Sequence, residues 1–229
     1  MKPRPPVTAS VRFREKAAEL AQLPLDQVFT TIHDTNLWGA EESVSGLGSE
    51  DSATLHLRTE LPKLLADLGA ETFLDIPCGD FGWLSKADLP VQRYIGADLV
   101  DTLVQANRAR FAGQPGKEFL RLDLCADPLP RADVVFCRDC LVHLSLANIQ
   151  RALANLQRSG STWLLTTTFL ECEHNADIQD GDWRMLNFEL APFHWPAPAR
   201  ILVEGCTEAG GGYEDKALGL WKLADLQSA

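Results

Sequence analysis

The sequence has no run of about 18 apolar residues, the length that a helix needs to cross a bilayer. It is also short of positive charge, because 21 Lys and Arg stand against 32 Asp and Glu for a formal net charge of -11 over 229 residues. A protein that binds nucleic acid through the phosphate backbone needs a clustered positive surface. We therefore expect neither a membrane protein nor a nucleic-acid partner, and the sequence does not indicate an oligomeric state.

Secretory and metal-binding signatures are also missing. Residues 1–10 are rich in proline and basic residues but lack the apolar core of a secretory signal, which favours a cytoplasmic location. Six cysteines lie mostly in or beside apolar runs, where cysteine behaves as a small buried hydrophobe. Cys137 and Cys140 have C-x-x-C spacing, but no second pair completes a zinc site. We expect reduced thiols and no metal.

The first fifty residues show little periodicity. Residues 1–12 are expected to form a mobile arm and residues 12–20 a short helix. Residues 42–49 are rich in Ser and Gly, which is typical of a flexible linker. Asn36 and Trp38, immediately before them, favour instead a loop that folds over a ligand. Both interpretations remain open, and we expect residues 1–50 to be an arm and capping segment.

From residue 51 onwards, helical and strand patterns alternate. Leucines between positions 57 and 68 recur at helical spacing before Gly69, with Pro62 either kinking this helix or beginning a second one. Successive βα units predict a parallel sheet with right-handed crossovers. The last two strands, joined by a glycine-rich loop, predict an antiparallel pair. Strands are expected at residues 72–76, 91–99, 118–122, 132–137, 163–169, 201–205 and 217–223, with helices at 100–111 and after Ser145.

These elements predict an α/β fold: a three-layer sandwich whose seven-stranded sheet is mostly parallel, with the last strand antiparallel, over residues 51–229. Residues 170–198 form a long irregular connection, which in compact domains is usually functional or disordered. Large aromatic side chains argue against disorder. We expect this insertion to face the substrate, with Trp183 walling the site, Arg184 binding a polar acceptor through its planar fork of donors, and Asp182 nearby.

Residues 74–83 are the strongest signal of a binding site. Asp75 ends an apolar run and is followed by a turn that contains Gly79 and Gly82, the arrangement of a buried strand that delivers its C-terminal end to a ligand. Asp98 and Asp123 end the next two predicted strands. Asp98 lies 19 positions after Gly79, close to the spacing at which a carboxylate meets ribose hydroxyls. The pattern predicts an adenosine-bearing cofactor at this edge of the sheet.

This order of glycine turn and acidic strand ends resembles class I S-adenosylmethionine-dependent methyltransferases, over about residues 51–223. Residues 74–82 resemble the family's first motif, with Pro77 in place of its first glycine and Phe81 in place of its third. Residues 36–39, 45–49 and 181–184 resemble a bacterial subgroup of methyltransferase-domain proteins. The resemblance implies a Rossmann-like fold and S-adenosyl-L-methionine as cofactor. The cofactor-binding residues that it implies are Asp75, Pro77, Cys78, Gly79, Asp80, Asp98, Leu99, Asp123, Leu124 and Arg138, with Gly79 at the amino acid part, Asp98 at the ribose and Asp123 at the adenine.

The expected chemistry is O- or N-methylation of a small polar acceptor. Methyl transfer depends mainly on positioning, and a base is needed only where the acceptor loses a proton. Asp139 and His143 lie four positions apart and could share one face of a helix, and the pKa of histidine is close to neutrality. These two residues and Asp182 are therefore the catalytic candidates. Trp38 is expected to bind the substrate. A histidine satisfied in the core or at a helix cap is the commoner alternative for His143.

Two other functions remain open from the sequence. The first is an NAD-type oxidoreductase, whose pyrophosphate needs a regular G-x-G-x-x-G turn and would be repelled by Asp80. The second is a non-catalytic module that binds S-adenosylmethionine.

Overall fold

The computed structural model describes residues 4–226 and contains one seven-stranded sheet of order β3-β2-β1-β4-β5-β7-β6. Strands β1 to β5 run parallel, and β7 is antiparallel to both β5 and β6. The predicted mostly parallel sheet with an antiparallel last strand is therefore confirmed. The strands are β1 (Thr72–Asp75), β2 (Arg93–Asp98), β3 (Lys117–Arg121), β4 (Val134–Cys137), β5 (Trp163–Phe169), β6 (Arg200–Val203) and β7 (Lys216–Lys222).

Helices cover the sheet, so that its central strands are buried on both faces. Within the described part of the chain, the five α-helices are α1 (Thr8–Leu20), α2 (Leu25–Asp34), α3 (Asp51–Leu68), α4 (Asp101–Arg110) and α5 (Leu146–Arg158). Neighbouring strand residues point to opposite faces. Phe73 accordingly packs in the core that contains the α3 leucines, and Leu74 packs in the core beneath α5. No helix within residues 4–226 is long and apolar enough to cross a membrane.

Helix boundaries follow the residues that the sequence indicated. Helix α3 is one helix with Pro62 inside it, which decides between the two interpretations of that proline. It ends at Gly69, whose φ of 61° is the left-handed conformation that glycine adopts without steric cost. Helix α5 begins after Ser145, whose Oγ accepts a hydrogen bond from the backbone N–H of Asn148.

The N-terminal prediction is wrong in two respects. The expected mobile arm is helical from Thr8, and helix α2 was not predicted at all; residues 1–3 of that arm, like residues 227–229 of the predicted domain, lie outside the described residues. Short helices are marginal alone and need a packed apolar face. Here α1 and α2 supply that face to each other, since Phe13, Val28 and Ile32 form a separate buried cluster.

The connection between β5 and β6 is irregular but well packed. Phe188 and Trp195 stack with ring centroids 4.3 Å apart, and Trp221 of β7 packs edge-on against Trp195. Its glycine, Gly181, lies against α1 and α2, where a β-carbon would crowd Val28 and Ile32. The aromatic residues of this segment thus pack with β5 and β7 in the core on the side of the sheet that α5 covers.

Candidate active site

A cavity lies at the C-terminal ends of β1, β2 and β4, beneath residues 25–49. It encloses about 1080 Å³ of empty volume, including the part open to solvent. Ligands bind at this edge of open α/β sheets. All ten predicted cofactor-binding residues line it, together with Trp38, Asp139 and His143 from the catalytic and substrate predictions. Other lining residues include Leu25, Phe29, His33, Val44, Ser45, Trp83, Cys125 and Cys140.

The turn after β1 has room only for glycine at position 79. Gly79 has a φ of 53°, and a β-carbon there would overlap Ser45 Oγ. Its N–H donates to Asp98 Oδ2 at 2.9 Å, and its carbonyl oxygen accepts from Asn107 Nδ2 at 2.8 Å. The glycine therefore lets the backbone, held from both sides, lie directly against whatever occupies the cavity.

Phe81 keeps a glycine-like backbone although it carries a large side chain. Its φ is 52°, a left-handed conformation that costs a non-glycine residue roughly 1–2 kcal/mol. Its ring packs against Tyr94, Phe111 and Phe119 at centroid distances of 4.5, 4.9 and 5.4 Å. Burial of this ring offsets the backbone cost. The turn can therefore keep a left-handed residue at position 81 although phenylalanine stands where the family motif has glycine.

Two carboxylates are held rigidly at the ends of β2 and β3. Asp98 accepts one backbone N–H on each oxygen, from Gly79 and Val100, both at 2.9 Å. Burial raises the pKa of Asp98, and the hydrogen bonds from Val100 and Gly79 oppose this rise. Asp123 Oδ1 accepts from the N–H of Cys125 at 2.7 Å. Each carboxylate oxygen keeps a further lone pair.

These features fit S-adenosylmethionine. The ribose diol and the adenine amino group are hydrogen-bond donors, which the spare lone pairs of Asp98 and Asp123 can accept. The glycine turn offers unobstructed backbone for the amino acid part.

Asp75 is a buried carboxyl group beneath the turn. Tyr94 donates its hydroxyl hydrogen to Asp75 Oδ2 at 2.6 Å, and the carboxyl is 4% exposed. Burial raises the pKa of Asp75 to about 8, against the lowering effect of the Tyr94 hydrogen bond. At neutral pH this carboxyl is mostly protonated, so it can donate a hydrogen bond into the cavity wall.

A buried charge cluster supports the wall at the end of β4. Arg138 binds Glu204 through Nε and Nη2 and also donates to the carbonyl oxygen of Gly48 at 2.9 Å. Lys216 binds Asp139 Oδ2 at 2.7 Å. Burial alone would raise the pKa of Asp139, but Lys216 and Arg138 outweigh it and hold that pKa below its ordinary value. Asp139 is thus a fixed negative charge and a poor proton acceptor.

His143 has a defined tautomer. Its Nδ1 lies 2.8 Å from the carbonyl oxygen of Asp182, and because a carbonyl only accepts, Nδ1 carries the ring hydrogen. Nε2 therefore keeps its lone pair. The Trp38 ring stacks on the imidazole with centroids 4.7 Å apart. Burial lowers the pKa of His143, which keeps the ring neutral at physiological pH.

The N-terminal segment supplies residues that the sequence did not single out. Ser43 Oγ donates to Asp80 Oδ2 at 2.8 Å, and Ser45 Oγ accepts from the N–H of Asp80 at 3.2 Å. His33 of α2 also lines the cavity. Scattered Ser and Gly carry no periodic signal, so the sequence marked this segment only through Asn36, Trp38 and the resemblance of residues 36–39 and 45–49.

Three predicted residues do not reach the cavity. Arg184, expected to bind an acceptor, donates to the carbonyl oxygens of Ala176, Leu141 and Leu144. Trp183 packs edge-on against Phe169 and Tyr213. The side chain of Asp182 accepts from the N–H of Trp183, and only its carbonyl reaches His143. These residues sit behind the site because residues 170–198 pack into the core.

Comparison with known proteins agrees with this site. The family model described as a methyltransferase domain matches residues 74–160, from β1 through α5. The N-methyltransferase NodS from Bradyrhizobium japonicum WM9, solved with S-adenosyl-L-homocysteine, is 11% identical with a TM-score of 0.60, covering 84% of this chain and 97% of NodS. Human N-acetylserotonin methyltransferase, solved with SAM, is 12% identical with a TM-score of 0.60, covering 93% and 67%. The bacterial CtHen1 methyltransferase domain is 14% identical with a TM-score of 0.56, covering 74% and 99%. No curated protein matches the sequence.

The fold is the Rossmann-like fold of solved methyltransferases, as predicted. The methyltransferase-domain match over residues 74–160 agrees with the predicted family resemblance and with S-adenosylmethionine as the cofactor.

Proposed function

We propose that the enzyme methylates an oxygen or nitrogen of a small polar acceptor bound between Trp38 and the end of β4. The observation that carries this proposal is His143, whose Nδ1 is tied to the Asp182 carbonyl while Nε2 remains a free base. A hydroxyl or protonated amine must lose a proton on methylation, and a neutral imidazole in the cavity wall is suited to accept it.

The cofactor supplies an activated methyl group, and the chain supplies the rest. Asp98 and Asp123 hold the adenosine part by accepting hydrogen bonds, Gly79 offers backbone to the amino acid part, and the segment from Trp38 to Ser49 covers the cavity and excludes water. The proposed division keeps the predicted boundary near residue 50: the described residues before it cap the site, and those after it bind the cofactor.

Trp38 lines the cavity and stacks on His143, so it can wall the acceptor beside the proposed base. The acidic net charge of -11 argues against nucleic acid as that acceptor, and the cytoplasmic location stays a prediction.

Calorimetry and labelled methyl transfer test the proposal. S-adenosylhomocysteine should bind, and methyl label should pass from S-adenosylmethionine to a component of a small-molecule extract. Binding without transfer to any acceptor would instead favour the non-catalytic module.

A further inference from the structure

The formal charges in the cluster at the end of β4 and the beginning of β7 do not sum to zero. Its cations are Arg138 and Lys216, and its carboxylates are Asp139, Glu204 and Glu208, which leaves a formal charge of -1. Both cations are almost fully buried, with side chains 5% exposed, whereas the Asp139 side chain is 26% exposed and lines the cavity. Glu208 is the other partly exposed carboxylate, with its side chain 22% exposed, but among the described residues of the cluster only Arg138 and Asp139 line the cavity. Asp139 is therefore the carboxylate through which the negative cluster meets the cavity.

Asp139 is held firmly in that position. Lys216 Nζ binds its Oδ2, Thr167 Oγ1 accepts from its backbone N–H at 2.8 Å, and the residue has a φ of 50°. A non-glycine residue persists in this conformation only where its surroundings enforce it. Gly48 completes the enclosure, since a β-carbon there would lie 3.0 Å from Asp139 Oδ2.

The cations beside Asp139 both bind its Oδ2 from the protein side. Among the described residues that line the cavity, Arg138 is the only guanidinium; it binds Glu204, and its Nη1 lies 3.4 Å from Asp139 Oδ2. Carboxyl groups line it at positions 75, 80, 98, 123 and 139. A carboxylate or phosphate on the acceptor would meet net repulsion here, and a neutral group would desolvate Asp139 without neutralising it.

We propose that the acceptor is an amine, whose ammonium group binds Asp139 and loses its proton to His143 Nε2. This deepens the proposed function and rests on it. The freed nitrogen lone pair forms the new N–C bond while the S–C bond to the methyl breaks and its electron pair stays on sulfur. The products are the methylated amine, S-adenosylhomocysteine and a proton on His143. Trp38 and Phe29 add aromatic faces that favour a cation.

Matched probes test the proposal on the enzyme saturated with S-adenosylhomocysteine. There are three sets of probes, built on a benzyl, a cyclohexylmethyl or an n-hexyl group. Within each set the three compounds differ only in the polar group, which is an amine, an alcohol or a carboxylate. In titration calorimetry the amine of at least one set should bind at least ten-fold more tightly than its alcohol, and the carboxylates should not bind. If no amine binds, or if the alcohols or carboxylates bind as tightly, the proposal is wrong.

Variants sharpen the test. Asp139→Asn keeps the size of the side chain and removes its charge, so it should lose at least ten-fold in amine affinity with little change for the alcohol. Glu173→Gln, at an exposed position outside the cavity, is the matched control and should change neither. The ranking of probes in the unmodified enzyme decides the matter if Asp139→Asn does not fold. Failure of S-adenosylhomocysteine itself to bind would refute the proposed function, not this inference alone.

Discussion

The hydroxyl of Ser45 occupies the space that a β-carbon on residue 79 would need. Gly79→Ala should therefore be less stable for two reasons. The left-handed φ costs an alanine roughly 1–2 kcal/mol, and the new methyl group clashes with Ser45. In Gly79→Ala/Ser45→Gly the clash is relieved and the backbone cost remains, so urea denaturation should show partial recovery. Equal losses in the single and double variants would show that Ser45 does not fill this space.

Replacing His143 by Asn or by Gln tests separately the hydrogen bond made by Nδ1 and the basicity of Nε2. In His143→Asn the amide can still donate to the Asp182 carbonyl, as Nδ1 does, but the base is lost. We expect turnover to fall by about 10²- to 10⁴-fold, with S-adenosylhomocysteine affinity nearly unchanged. His143→Gln serves as the comparison, because it loses the Asp182 contact as well and should also lose stability. Full turnover in His143→Asn would assign the base elsewhere.

The pH profile should reflect the burial of His143. Burial lowers the pKa of this ring from 6.5, so the neutral, basic form persists as pH falls to that value and protonation follows only below it. The acidic limb of kcat/KM should accordingly lie below pH 6.5, and it should be absent from the residual activity of His143→Asn. A midpoint above 6.5 would contradict a buried, neutral imidazole.

Asp98 should govern cofactor affinity. Asp98→Asn replaces one acceptor oxygen by a donor, which disturbs the hydrogen bonds from Gly79 and Val100 and the expected ribose contact. Losing a hydrogen bond to a charged group costs about 1.5–3 kcal/mol, so we expect S-adenosylhomocysteine to bind at least about ten-fold more weakly in calorimetry. Asp101→Asn, on the exposed first turn of α4, is the control. Equal affinity in both variants would remove Asp98 from the ribose site.

Asp75 should make stability depend on pH. Its folded pKa of about 8 lies above the unfolded value of 3.8, so this group's contribution is fully present below pH 3.8 and is lost as pH rises to about 8. Asp75→Asn cannot ionise. The free energy of unfolding should therefore fall more steeply between pH 4 and 8 in the parent than in Asp75→Asn. Parallel curves would mean that Asp75 is ionised throughout this window.

The sequence predicted the sheet and the cofactor side of the cavity because both depend on local signals. Apolar runs mark the strands, and the acidic residues at or just after the strand ends line the cavity, so Asp75, Asp98 and Asp123 could be found from local sequence. Gly79 and Ser145 are likewise local, since a turn and a helix cap are fixed by neighbouring residues.

The acceptor side was predicted less well because it depends on distant contacts. Arg184 has the chemistry of a ligand-binding residue, yet three carbonyl oxygens brought near by packing already bind its donors. The clamp on Asp139 joins it to Lys216, 77 positions away, which no local pattern reveals. Helix α2 and residues 8–11 of α1 were missed because the apolar faces of these helices are completed only by each other.

The bond from Arg138 to the Gly48 carbonyl has a consequence for the order in which the chain becomes functional. Arg138 is itself held by Glu204, and Arg4 binds Asp215, so residues made earlier are anchored by residues made much later. Domains tend to fold during synthesis from the N-terminus. A nascent chain still lacking Asp215 and β7 has every residue of its cofactor edge but lacks the partners of Arg4 and of Asp139. The complete cavity wall is thus acquired only after β7 has been made.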